Sequence, residues 1–564
     1  MFLPTTPAEV KKLKWSRLDV VLVTGDAYID SPFMGVAIIG KVLVDKGFRV
    51  GIIAQPDMDS KTDITRLGEP DLFWGITGGC VDSMVANYTA LKKKRKQDDY
   101  TPGGINNLRP DRAAIAYSNL VRKYFKKTRP IVLGGIEASL RRIAHYDFWS
   151  NAVRRSVIFD AKADFLLFGM AHSTIVKFAT ALKENKDPRL LNGVAYISKE
   201  KKGIELPSFE AVQKDKILYI KSFHLFYENN DPVTAQRLCQ KHTDRYVILN
   251  PPEPYSTTRE LDHIHSLGFE RDLHPFYKKS GTVRALDTIK FSIPIHYGCY
   301  GECNFCAISV HQGRTVRYRS VASIINEAKA ISLLEDFKGY ITDLGGPTAN
   351  MYGFECKKKL QKGVCQDKRC LFPAPCKTLA PDHSNHMKLI QKVEQLPGIK
   401  KVFISSGIRY DLILNDKKNG AAYLEKLVKD NVSGQLKIAP EHAVSHVLSA
   451  MGKQPIDLLL QFKHKFDALS KTSGKKQFLT YYLIAAHPGC SMKDMITLKN
   501  FTTQKLKITP EQVQIFTPSP STYSTLMYYT GLDPFTLAPL FVEKNPKEKE
   551  KQKKAVTIKP YTKK

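Results

Sequence analysis

No stretch of roughly 18 or more apolar residues occurs in this 564-residue chain, which excludes a membrane-spanning helix of ordinary length. Its start, Met1-Phe2-Leu3-Pro4 followed shortly by Lys11-Lys12-Leu13-Lys14, has no apolar segment of signal-peptide length, so no secretory leader is expected. Acid is scarce: 55 Asp and Glu face 86 Lys and Arg, a formal charge of +31 that makes nucleic acid a live partner. Part of that excess is local, because nine Lys oppose two Glu in the last 21 residues. An RNA-recognition motif is also missing, and a basic balance alone carries no groove or stacking information. With 43% apolar residues the chain can bury several cores, which excludes disorder throughout and fits three or four units of about 150 residues. These features describe a cytoplasmic protein with no membrane partner.

Apolar runs alternate with helix-spaced segments along the first third. Residues 18–24 are a strand ending at Gly25, Ile38, Ile39, Val42 and Leu43 mark a helix stopped by Gly47, and residues 48–54 are the next strand. Further runs at 72–77, 130–133 and 163–168, each closed by glycine, predict a doubly wound sheet with loops at its carboxyl edge. The charged stretch 92–104 reads as a solvated loop. A second series follows, with strands at 289–295, 340–344, 401–405, 435–438, 478–485 and 513–516 and helices between them. Six strand-helix units predict a partial parallel barrel whose chemistry lies at the strand carboxyl ends. The expected fold class is thus α/β, a Rossmann-like doubly wound sheet over 1–199, a connecting region at 200–285, and a partial (β/α)6 barrel over 286–543. A Cys-rich insertion at 350–383 interrupts the barrel, and the basic tail 544–564 is expected to be disordered or weakly helical and dispensable for folding.

Ten cysteines in a reducing compartment are not expected to pair as disulfides. Seven fall between positions 299 and 376, which points to metal. Cys299, Cys303 and Cys306 follow the first barrel strand. Three thiolates there can hold a 4Fe-4S cluster while leaving one iron without a protein ligand, whereas tetrahedral zinc usually takes two ligand pairs. Cys356, Cys365, Cys370 and Cys376 form a second group, followed by His383 and His386. Four thiolates suffice for an auxiliary iron-sulfur cluster or a closed zinc site, with a slight lean to the cluster from the irregular spacing.

The Cys-x3-Cys-x2-Cys loop, with Phe305 before its last Cys, resembles the signature of the radical S-adenosylmethionine (SAM) superfamily. Tyr100-Thr-Pro-Gly-Gly104, Arg109-Pro-Asp111, Gly345-Gly-Pro-Thr-Ala-Asn-Met-Tyr-Gly353, Lys437-Ile-Ala-Pro-Glu-His442 and Met527-Tyr-Tyr-Thr-Gly-Leu-Asp533 are similar to its YgiQ branch, over nearly the whole chain. The resemblance implies a radical SAM barrel in which SAM chelates the open iron and one electron cleaves it to methionine and a 5′-deoxyadenosyl radical. It implies a reductant protein such as flavodoxin or ferredoxin, and it brings no substrate. It places Gly345, Gly346 and Pro347 at the SAM amino group. Arg409, Lys437 and Glu441 fall where polar residues reach its carboxylate and ribose, and Phe305 lies beside the cofactor. Catalytic residues beyond these are not assigned. The first domain resembles the cobalamin-binding type, but its Asp-x-His-x-x-Gly motif is unmet, since Tyr28 stands where the His would be; the resemblance extends to relatives that bind cobalamin without that His, so cobalamin is possible but not favoured. The rival readings are a basic nucleic-acid-binding or scaffold protein with a structural cluster, and an RNA-modifying enzyme of the methylthiotransferase kind.

Overall fold

Strands β1 (Val20–Thr24) and β2 (Val50–Ala54) are buried along their whole length, as strands covered on both faces must be. In the computed structural model, which describes residues 1–511 and 513–557, they begin a sheet of nine strands. The others are β3 (Phe73–Thr77), β4 (Ile131–Gly134), β5 (Phe165–Leu167), β6 (Val194–Ser198), β7 (Ile204–Leu206), β8 (Leu238–His242) and β9 (Arg245–Leu249). Their order is β2-β1-β3-β4-β5-β6-β9-β8-β7. The first five are parallel, whereas β5, β6, β9 and β8 pair antiparallel. Helix α1 (Gly35–Asp45) crosses from β1 to β2 and sets Ile38, Val42 and Leu43 into the core formed by Val20, Leu22 and Ile52. Gly47, at φ 81°, turns the chain out of that helix. Because the chain leaves β1 first toward β2 and returns on its other side at β3, the β1/β3 edge is a topological switch point.

This unit comprises Met1–Lys290 with Val310–Gln312, so the segment 200–285 is no connection: it contributes β7, β8 and β9 to the sheet. The polar sequence of β8, Leu-Cys-Gln-Lys-His, hides a strand whose Leu238, Cys239 and Gln240 are buried. The 92–104 stretch is also only half a solvated loop. Residues 92–97 are exposed, but Asp98 and Thr101 are buried, and the Tyr100 carbonyl accepts the Ala27 amide at 2.9 Å.

The second unit, Phe291–Ser309 with Gly313–Lys564, holds β10 (Ser292–Pro294), β11 (Tyr340–Ile341), β12 (Asp343–Gly345), β13 (Lys401–Val402), β14 (Gln435–Glu441), β15 (Phe478–Ala485) and β16 (Gln514–Ile515). All these strands pair in parallel: β10 with β12, β11 with β13, β14 with β15, β15 with β16. A bridge from Ile408 to Ile438 joins the β13 side to β14. Residue 289, expected in the first barrel strand, ends a short helix, Ala285–Ile289, because its side chain packs on the first unit's core. Helices α2 (Val321–Ser332), α3 (Ser384–Glu394), α4 (Asp457–Thr472) and α5 (Met492–Gln504) cover the strands. Ile324, Leu389, Phe462 and Leu498 pack on Ile293, Ile341, Leu436 and Leu483.

The basic tail departs from expectation. Residues Pro546–Val556 form helix α6, capped by Asn545, whose side chain accepts the Lys547 amide. Lys549, Gln552 and Val556 are buried, one helical face at spacings of three and four. Lys549 Nζ donates to the Tyr528 hydroxyl at 2.8 Å and sits 4.6 Å from that ring, and Gln552 Oε1 accepts the Ala486 amide at 3.0 Å. A lysine stem is itself apolar surface, so composition understated what this helix could bury. Residues 558–564 of the expected tail lie outside the described residues. Deleting residues 544–564 removes these contacts, worth about 3 kcal/mol together, and is expected to lower the thermal midpoint by roughly 6–12 °C. A midpoint within 1 °C of the full chain, roughly a quarter of a kcal/mol on that scale, would show that the helix does not dock.

Candidate active site

The loop after β10 is shaped by glycine. A Cβ on Gly298, at φ 79°, would lie 2.3 Å from the Thr315 carbonyl oxygen, so no other residue fits there. A Cβ on Gly301 would lie 3.2 Å from Cys299 Sγ, 3.3 Å from Arg409 Nη1 and 3.6 Å from Cys303 Sγ. Two thiols and a guanidinium therefore gather around one point. Cys306 joins them: burial first, then the neighbouring charges of Cys303 and Cys299, push its thiol up to about 12. Burial also raises Cys299, whose Sγ lies 3.7 Å from Thr348 Oγ1. Thiols held this way are neutral until a cation draws off their protons. The donor set thus fits an iron-bound group, and loading it releases protons.

Asn304, between the last two cysteines, ties the loop down. Its amide donates to the Met451 carbonyl at 2.9 Å and its Nδ2 to the Ala450 carbonyl at 2.8 Å, while Oδ1 accepts Arg369 Nη1 at 2.6 Å. Its own carbonyl accepts the Ser524 amide at 2.9 Å. No sequence signal marked it, because the burial that obliges this amide to satisfy both of its ends is set by the fold.

At the ends of β12, β13 and β14 a polar edge forms. Asp343 accepts the Ser405 and Ser406 amides at 2.8 and 3.0 Å, and the Ser406 hydroxyl binds it as well. Burial raises its pKa against those bonds and against nearby Lys437, itself half-buried. Gly345 and Gly346 are needed as glycines: a Cβ on Gly345 would meet Ser406 Oγ at 2.4 Å and one on Gly346 would meet the His296 ring at 2.5 Å. Pro347, next along that edge, is half-buried. His296 is fully buried, held neutral by burial with its pKa near 3, and neither ring nitrogen makes a hydrogen bond of ordinary geometry.

Arg409 differs from expectation. Its fork is closed on Asp411, Nε to Oδ1 at 2.8 Å and Nη2 to Oδ2 at 2.6 Å, leaving Nη1 turned to Cys303 Sγ at 3.9 Å. Burial opposes its charge and Asp411 more than restores it. Glu441 is buried at φ 68°, where the β14 register shifts, an unusual conformation for a residue with a side chain. Burial raises its pKa, opposed by Lys453, whose Nζ lies 3.7 Å away. Phe305 meets His487 edge to face at 6.3 Å, and His487 Nε2 bonds Ser524 Oγ at 2.7 Å.

The second cysteine group is split from the two histidines that follow it. His383 Nδ1 bonds Asp416 Oδ2 at 2.8 Å and His386 Nδ1 bonds the Tyr423 hydroxyl at 2.9 Å, both inside the barrel wall. Cys356, Cys370 and Cys376 instead pack around Tyr300, Leu371 and Leu379, a cluster that Cys299 also touches. Cys365 is half-buried and free.

In the first unit the switch point is filled. Arg109 is fully buried with Nη1 on Asp26 Oδ1 at 2.6 Å and the Gly78 carbonyl at 3.0 Å, and Nη2 on Asp98 at 2.9 Å. A Cβ on Gly79 would stand 2.3 Å from Asp26, and one on Gly25 2.3 Å from the Gly78 carbonyl. Tyr28 points inward, its hydroxyl accepting the Leu3 amide at 3.0 Å and its ring stacked on His274 at 5.4 Å. Neither Asp98 nor Arg109 was legible as a buried pair, because a charged loop reads as solvated.

A family model described as Radical SAM N-terminal matches residues 2–292. The UPF0313 protein FN0734 of Fusobacterium nucleatum is 56% identical over 561 residues, covering 99% of both chains. A UPF0313 protein of Thermotoga maritima is 48% identical over 564 residues, again covering 99% of both. Among solved structures, the radical SAM methyltransferase TsrM from Kitasatospora setae, with tryptophan and a SAM analogue, superposes with a TM-score of 0.50 at 12% identity, over 89% of this chain and 75% of that one. The cobalamin-dependent SAM radical enzyme OxsB, with aqua-cobalamin and SAM, gives 0.50 at 11%, over 96% of this chain and 57% of that one. At such identities the likeness shows the fold alone, an α/β sheet domain followed by a radical SAM barrel. No helix among the described residues is long and apolar enough to cross a membrane.

Replacing Asn304 by Ala strips two partners, the Ala450 carbonyl and the Arg369 guanidinium, of their match, at about 1–3 kcal/mol for the worse of them. We expect the anaerobically loaded N304A protein to hold at most about half the iron of the unaltered chain, since a misplaced ligand loop costs metal affinity of the order of tenfold or more. Equal iron content would mean that the loop holds its shape without this residue.

Proposed function

We propose, for a chain that belongs to the UPF0313 family of radical SAM proteins, an enzyme in which Cys299, Cys303 and Cys306 hold a 4Fe-4S cluster and leave one iron to SAM. The observation that carries this is the convergence of the Cys299 and Cys303 thiols around Gly301, with Cys306 turned back on Cys303 through its amide, which donates to the Cys303 carbonyl at 3.0 Å, on a loop with no fourth sulfur or imidazole between positions 299 and 306. When loaded, reduced and supplied with SAM, such a group provides a carbon radical able to abstract hydrogen from a substrate.

The chain's own residues have separate tasks in this reading. Gly298 and Asn304 fix the ligand loop. Arg409, closed on Asp411, turns its remaining nitrogen to the thiolates and offsets their charge rather than forking a SAM carboxylate. The glycine edge at Gly345, Gly346 and Pro347 lets backbone approach the SAM amino group, since side chains there would strike Ser406 and His296. Lys437 beside Asp343, and Glu441 beside Lys453, offer cationic and anionic groups for the SAM carboxylate and ribose. Phe305 and His487 cover the loop from water. Anaerobically loaded protein given SAM and a strong reductant should release 5′-deoxyadenosine, and Ala at any of the three cysteines should abolish it. A fully loaded chain that releases none supports the rival, a basic binding or scaffold protein with a structural cluster.

Cobalamin does not fit the first unit in this reading. Tyr28 is turned into the core, a phenol in place of a soft nitrogen donor, and Arg109 with Asp26 and Asp98 occupies the switch point where a nucleotide-like tail would lie. No step is therefore assigned to a corrin. Full-length protein mixed with hydroxocobalamin and desalted should carry no corrin absorbance above background. Retention of one equivalent would reverse this assignment.

A further inference from the structure

The insertion that leaves the barrel after β12 carries four cysteines, none of them paired. Cys356 is the N-cap of a short helix, Lys357–Lys362, and is buried. Cys370 and Cys376 are brought back beside it by the loop that follows, where the Cys376 amide donates to the Cys370 carbonyl at 2.8 Å. All three pack on one small apolar cluster, with Tyr300, Phe354, Leu371 and Leu379.

Two polar groups lie beside those thiols. The Tyr300 hydroxyl is fully buried, faces Cys356 and Cys370, and makes no hydrogen bond of ordinary geometry. Lys359 is 2% exposed, with its ammonium 3.4 Å from Cys370 Sγ, 4.0 Å from Glu302 and 5.4 Å from the Tyr300 ring centre, and also bonded to the Arg314 carbonyl. A buried ammonium set against a neutral thiol is poor electrostatics, and against a thiolate it is good. The surrounding charge points the same way. Between positions 357 and 377 six Lys and one Arg face a single Asp, a setting that suits a net anion.

Free thiols and zinc are the competing accounts. Four unpaired thiols in one loop invite oxidation, and three of them converge, which chance exposure does not require. A single zinc would draw its ligand atoms to about 2.3 Å from one point. Structural zinc also usually takes its ligands as two pairs separated by two to four residues, and of the intervals here, eight, four and five residues, only one is of that kind. We infer that Cys356, Cys365, Cys370 and Cys376 hold a second iron-sulfur cluster, with the Tyr300 hydroxyl and the Lys359 ammonium directed at its sulfurs. Binding converts four thiols to thiolates and releases four protons, about one per ligand, which the lysine-rich loop then balances.

The inference stands apart from the proposed function, and the test separates them. Full-length protein carrying C299A, C303A and C306A together keeps all four insertion cysteines and changes one neighbour of their apolar cluster, Cys299. Loaded anaerobically with iron and sulfide, it should bind about four irons and about four sulfides, against about eight of each in the unaltered chain. Its melting curve reports whether the variant is folded, and the C356A/C365A/C370A/C376A chain, measured alongside, should keep only the first four irons. If the triple variant is folded and holds no iron, or carries zinc in place of iron, the second cluster is overturned. Loss of SAM cleavage in a triple variant that keeps its iron supports the second centre and leaves the first assignment intact.

Discussion

The second unit is organised around the need to bring three thiols together on one short loop and keep them there without metal. Sulfurs so placed repel as thiolates and are desolvated as thiols, so the loop cannot hold itself. It is held from outside: Gly298 lets the backbone turn against Thr315, Asn304 is pinned by Met451, Ala450, Arg369 and Ser524, and Arg409 presents a cation to the sulfurs. Each of these supports comes from a different stretch of chain. The strand order that unites them is therefore a condition of the site, as it is wherever chemistry lies at the carboxyl ends of a parallel barrel.

Two arginines show how one residue type is used in opposite ways. Arg409 is locked by Asp411 but keeps one nitrogen directed at the thiols, so its charge remains available. Arg109 has every face engaged, with Asp26, Asp98 and the Gly78 carbonyl, and its charge is consumed internally. A buried ion network of that kind adds little net stability over an apolar filling but is costly to break from one side. It lies at the edge between β1 and β3 where the topology places a switch point, and a sheet of this type does not by itself imply a cofactor.

Much of the fold was legible in residue pattern. The runs at β1, β2 and β3, and the strand-helix alternation from β10 to β16, follow from apolar period and glycine stops, because those signals report a buried face directly. Polar strands were not legible: β8 reads as Gln-Lys-His and is recognised only by its partners β9 and β7. Nor was the docking of helix α6, since nothing in a run of lysines says that Lys549 lies over Tyr528.

The same division holds at the site. Sequence alone determined the three cysteines and their spacing, the glycine edge and the second cysteine group, because ligand identity and local spacing are properties of the chain. Tertiary structure alone decided what surrounds them: that Arg409 closes on Asp411, that His383 and His386 belong to the barrel wall, that Asn304 anchors the loop, and that Lys359 reaches Cys370. Those facts depend on residues far apart in the chain meeting in a medium of low dielectric, where a charge or a polar atom must find a partner, and no local pattern records which partner that will be.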